Sequence, residues 1–109
     1  MNTNDLMQAL RSAFHPTAAA DFDARVRLQL GLPEDALTPS LTLGIHHGAL
    51  GVAESTAGEA VDFTLYFADA EQALALLTGQ ADPVAAFMAH EFRADGYLIW
   101  VFSVLAMFR

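Results

Sequence analysis

The apolar run from Tyr97 to Phe108 constrains this chain more than any other stretch. Ser103 is its only polar residue apart from the Tyr97 hydroxyl, so no side of it suits water. A surface helix carries one apolar stripe and a half-buried strand one apolar face; neither calls for a segment that is greasy all round. The fold must cover both sides of this run, and a ligand, a partner surface or a membrane could complete the cover. A bilayer span takes about 20 apolar residues. The run is too short for that, so no integral membrane insertion is expected.

The chain has 109 residues, which suits a single domain over 1–109. A chain of this size buries roughly 60–70% of its unfolded surface, enough for one real core without staples. There is no cysteine, which excludes a thiol nucleophile, a redox pair and thiolate metal sites. The acidic residues number 13 against 5 arginines, with no lysine and a net charge of −8. Nucleic-acid binding relies on clustered Lys and Arg that release counterions, so it is not expected. The same deficit argues against docking on an anionic bilayer. The plain explanation is that acidic charge keeps a greasy small domain in solution. Met1 to Asp5 is polar, with no basic segment of a secretory signal, and a soluble cytoplasmic protein is expected.

Along the chain, Thr3 or Asn4 can cap a helix, about 3–14, with Leu6, Met7, Leu10 and Phe14 at helical spacing. His15-Pro16 ends it. From Asp23 to Leu30 the alternation is clean: Ala24, Val26, Leu28 and Leu30 on one face, Asp23, Arg25, Arg27 and Gln29 on the other. That is a half-buried strand. A break at Gly31-Leu32-Pro33-Glu34-Asp35 and Pro39-Ser40 leads to a second strand, Leu41 to His46. His47-Gly48 can turn the chain into a third, Ala49 to Glu54. After a loop around Gly58 comes Val61 to Phe67, with Val61, Phe63, Leu65 and Phe67 on one face. The period then changes. Asp69 opens a helix through Leu74, Leu76 and Leu77, which Gly79 stops; Asp82-Pro83 opens another with a cap and a proline at the first helical position. Glu91 to Asp95 reads as an extended link. The terminal run is ambiguous: Ile99, Val101 and Val104 favour strand, whereas Leu98, Leu105, Ala106 and Met107 favour helix. A meander followed by late helices predicts an α+β fold with an antiparallel sheet covered on one side.

This order of features resembles the sterol carrier protein type 2 lipid-binding domains over about residues 23–109. The resemblance rests on the turn at Gly48, the Val61–Phe67 strand and Leu76-Leu77-Thr78-Gly79. It continues through Asp82-Pro83 with Ala86-Phe87-Met88, the link closing on Gly96 and the apolar terminal run. It implies a five-stranded antiparallel sheet covered by helices, with an apolar tunnel between the layers. The terminal run would then be a helix and the Glu91–Ala94 link a fifth strand. The implied activity is non-catalytic binding of sterols, fatty acids and other lipids, without a cofactor. Related domains occur in bacterial ubiquinone assembly and as accessory parts of larger enzymes. Where the family usually has glycine followed by alternating lysines, this chain has His90-Glu91-Phe92-Arg93-Ala94-Asp95. With only Arg93 positive, an acyl-CoA is less expected than an uncharged ligand.

The residues expected to line such a tunnel are Phe63, Leu65 and Phe67 from the strand, Phe87 and Met88 from the Asp-Pro helix, and Leu98, Trp100, Val101, Phe102, Leu105 and Phe108 from the terminal run. A packed core would explain each one singly. The aggregate leaves a helix face to be covered by a small hydrophobic ligand or, alternatively, by a second copy or an accessory enzyme. His46 and His47, as adjacent strand residues, should point to opposite faces and hold no metal. His90 beside Glu91 adds no recognised ligand spacing; Glu54, Glu59, Asp62 and Asp69 are scattered without a partner base, so an enzyme acting on a lipid through His47 or His90 is not expected. Asp69 and Asp82 read as helix caps.

Overall fold

The computed structural model describes residues 2–31, 40–56, 58–96 and 98–108; the loop read over Leu32 to Pro39 lies outside them. Helix α1 spans Thr3–Ala13, and Asn2, rather than Thr3 or Asn4, caps it by accepting a hydrogen bond from Asp5 N at 2.8 Å. A 3₁₀ turn at Pro16–Ala19 follows. Strands β1 (Asp23–Leu30), β2 (Ser40–His46), β3 (Ala49–Glu54) and β4 (Phe63–Phe67) come next. Helices α2 (Ala70–Leu77) and α3 (Pro83–Met88), strand β5 (Arg93–Asp95) and helix α4 (Leu98–Ala106) complete the order. The terminal run is thus helical, and the link before it is the fifth strand.

The strands form one sheet in the order β3-β2-β1-β4-β5. The β2–β3 hairpin turns on His47-Gly48, whose φ angles of 47° and 84° are those of a type I′ turn. Antiparallel pairing holds for β1–β2, β2–β3 and β4–β5. The pairing of β1 with β4 is parallel, Val26 opposite Phe63 through Leu30 opposite Phe67, so the sheet is mixed where the sequence predicts antiparallel throughout. The cause is the connection after β3. It returns across the outer face of the sheet to the start of β1, and β4 then runs in the direction of β1.

Polar side chains fasten that crossover. The Thr42 hydroxyl donates to Glu59 Oε1 at 2.6 Å and lies 2.8 Å from the Ser55 hydroxyl. Arg27 Nη2 donates to the Glu59 carbonyl at 3.0 Å. Arg25 N donates to Asp62 Oδ2 at 2.7 Å, and Asp62 N returns a bond to the Arg25 carbonyl at 2.8 Å. Covered in this way, Thr42 is buried although it faces away from the core. The Thr42 bond, chiefly, with a bond from Thr56 N and the nearby Arg25 and Arg27, holds the Glu59 carboxyl below its usual range.

On the inner face, register stacks Ala24, Val26 and Leu28 beside Ile45, Leu43 and Leu41, with Phe63, Leu65 and Phe67 beyond them. Helices α1, α2 and α4 cover this face through Leu6, Leu10, Ala73, Leu76, Leu77, Val101, Val104 and Leu105. After α4, Met107 and Phe108 tuck under the end of α1. His15 N donates to the Met107 carbonyl at 2.8 Å, and the Phe14 and Phe108 rings lie 5.5 Å apart.

Candidate functional site

Asp82 caps α3 by accepting from Val84 N and Ala85 N at 3.0 and 3.4 Å, and Pro83 sits at its first turn. The helix therefore starts at a defined point and aims Phe87 inward. His90, at φ 60°, ends the turn after α3 and sends the chain toward β5. Gly96, at φ 128°, then lies so close to Phe63 that an added Cβ would collide with the Phe63 Cβ. Such an approach is open to glycine alone, and it locks the β5–α4 corner onto the first residue of β4.

These constraints bring together a row of aromatic rings. Phe102 of α4 meets Phe87 of α3 at 6.0 Å, Phe87 meets Phe92 at 5.6 Å, and Phe92 meets Phe67 of β4 at 5.6 Å. Phe102 and Phe87 are half-buried, whereas Phe92 and Phe67 are buried. The row thus runs from half-buried Phe102 and Phe87 to buried Phe92 and Phe67, the last residue of β4. Its far end adjoins a small pocket of about 120 Å³ lined by Tyr66, Phe67, His90, Glu91 and Arg93. There Arg93 lies over the Tyr66 ring at 5.7 Å, and the Tyr66 hydroxyl donates to Asp95 at 2.8 Å. Burial and that bond raise the Tyr66 phenol above its ordinary range.

The structure sorts the expected lining residues into groups. Phe63, Leu65, Phe67, Val101, Leu105 and Phe108 are in the core, each no more than 2% exposed. They are buried between sheet and helices, where the resemblance implies a tunnel. Phe87 and Phe102 stand at the entrance to the aromatic row. Met88 is 73% exposed on the outer side of α3, and Trp100 is 38% exposed with its ring edge against Phe22. Leu98 opens α4, but its side chain lies outside the described residues. Phe92 is the residue that sequence reasoning missed; its alternation with Ala94 in a link of few residues was the available signal. A separate open groove of about 380 Å³ between the 3₁₀ turn and α4 contains none of the expected lining residues.

The family model described as the SCP-2 sterol transfer family matches residues 3–99. The chain belongs to that family. No curated protein matches it in sequence. Among solved structures, palmitated SCP2L2 from Aedes aegypti superposes with a TM-score of 0.72 at 12% identity, covering 100% of this chain and 96% of that one. The ubiquinone synthesis protein UbiJ-SCP2 gives 0.65 at 19% identity, over 98% and 92% of the two chains. The sec-alkylsulfatase Pisa1 from Pseudomonas sp. gives 0.72 at 13% identity over 91% of this chain but 15% of its own. The family member thus spans only a small part of the sulfatase's length. At these identities the superpositions establish the shared α+β fold. No helix among the described residues is long and apolar enough to cross a membrane.

Proposed function

We propose that this protein is a non-catalytic, cytoplasmic carrier that binds a hydrophobic ligand of the fatty-acid, sterol or isoprenoid-quinone type between its sheet and helices. The observation that carries the proposal is the aromatic row Phe102–Phe87–Phe92–Phe67, which runs from half-buried rings on α4 and α3 to buried rings in the core of a member of a sterol-transfer family. Leu65, Val101, Leu105 and Phe108 would line the opened space and Phe63 its floor. Met88 and Trp100 would stand at its rim. Because these lining side chains are buried, α3 and α4 would move outward as the ligand enters. A buried alkyl segment of about ten methylenes supplies roughly 8 kcal/mol at about 0.8 each. Parting the helices and fixing the ligand offset some of this, which leaves affinities in the micromolar range.

Palmitate and cholesterol, added separately, should raise the melting temperature of delipidated protein, and native mass spectrometry of protein from its host should retain a lipid adduct. Phe92→Ala should weaken palmitate binding by about tenfold or more. No adduct and no thermal shift with any lipid class would refute the carrier.

A second reading has its own observation. Val84 and Met88 on α3 and Ile99 on α4 are 56%, 73% and 65% exposed, which is apolar surface that a second copy or an enzyme partner could cover. Sedimentation decides for self-association: a dimer at micromolar concentration that Trp100→Asp disrupts supports it, and a strict monomer counts against it.

A further inference from the structure

We infer that Asp23, His46 and His47 form a binding site for a divalent transition-metal ion, with Zn²⁺ the best fit. Their ligand atoms all lie within 4.8 Å of one another. Asp23 and His46 are directly opposite in the β1–β2 ladder, so their side chains leave the sheet on the same side. The His46 Nδ1 to Asp23 Oδ2 distance is 3.1 Å. Tetrahedral zinc, with bonds of about 2.0–2.2 Å, places neighbouring ligand atoms roughly 3.3 Å apart. Asp23 and His46 already stand at that spacing. The third donor has to close a gap of at most about 1.5 Å, within reach of an exposed side chain.

Strand alternation would have sent His47 to the opposite face. It does not apply, because His47 lies in the hairpin turn at φ 47°, which swings its ring to 4.3 Å from that of His46. The turn is held there from below: His47 N donates to the Phe22 carbonyl and Gly48 N to the Ala19 carbonyl, each at 3.1 Å. The backbone of the third ligand is therefore fixed before any metal arrives. Two imidazoles and one carboxylate favour zinc, copper, nickel or cobalt over the oxygen-seeking magnesium and calcium. A chain of net charge −8 without lysine also attracts cations and offers few of its own to compete. The fourth position faces solvent and would hold water. Bound there, the ion would tie the hairpin tip to the first residue of β1.

The full chain, freed of metal with a chelator, tests this by calorimetric titration with Zn²⁺ and by melting with and without it. One ion per chain and an upward thermal shift are expected. His46→Gln and His47→Asn should each weaken binding by at least about tenfold. Asparagine tolerates positive φ, so the second variant keeps the turn, and its metal-free melting curve verifies that. His15→Gln and His90→Asn should bind as the parent does. Absent or substoichiometric binding, or affinities unchanged in both ligand variants, would overturn the site.

Discussion

Single side chains fix the two features of this molecule that depend most on position, the crossover and the β5–α4 corner. Glu59 joins the crossover to the sheet as a carboxylate, and its folded pKa lies below its unfolded one. Its stabilisation is therefore complete above the ordinary carboxylate range, about 4.3, and is lost as pH falls through the lowered folded value. Glu59→Gln should melt below the parent at neutral pH, with the gap narrowing as the parent is acidified. A gap that ignores pH would contradict the role given to this charge. At the corner, Gly96→Ala must overcome both positive φ and the Phe63 contact, a loss of about 2–5 kcal/mol from strain and overpacking. Gly44→Ala places its methyl in open space on the sheet's outer face and should shift stability by no more than about 0.5 kcal/mol. Urea unfolding of the pair reads the contrast directly.

At the scale of elements, α3 is six residues long and relies on its start. Asp82→Ala removes an acceptor from two backbone donors and should cost about 1 kcal/mol, read from the urea midpoint. Such local chemistry was legible in the sequence. The alternation of Arg25 and Arg27 with Val26 and Leu28 defines β1, Asp69 and Asp82 announce two helices, and His47-Gly48 defines a hairpin. The parallel β1–β4 pairing was not legible. Alternation says which face a strand buries but not which neighbour it takes, and polar bonds to Thr42, Arg25 and Arg27 guide the return path. The inward set Phe63, Leu65 and Phe67 followed from the period of two. On α3, successive residues rotate by about 100°, so Ala86 is buried, Phe87 half-buried and Met88 exposed, which an apolar run alone does not resolve. Phe92 escaped because it precedes a strand of three residues, Arg93–Asp95, so its alternation with Ala94 is a single step and a weak signal.

Across the whole molecule, the terminal apolar run is only partly covered by the chain itself. Val101, Val104 and Leu105 face the core, Phe102 meets α3, and Ile99 stays in solvent. Membership of a sterol-transfer family and an aromatic row running inward from Phe102 make a hydrophobic ligand the natural completion. The acidic surface, without lysine, leaves little means of gripping phosphates, so an uncharged or singly charged lipid should outcompete an acyl-CoA. The most direct test is a titration of the isotope-labelled, delipidated chain with palmitate below its micellar concentration, followed by amide and methyl NMR. The carrier account predicts saturable shifts in the micromolar range at Phe67, Phe92, Val101 and Leu105, together with Phe87 and Phe102 at the entrance. Shifts confined to the exposed Val84, Met88 and Ile99, or none at all, would contradict it.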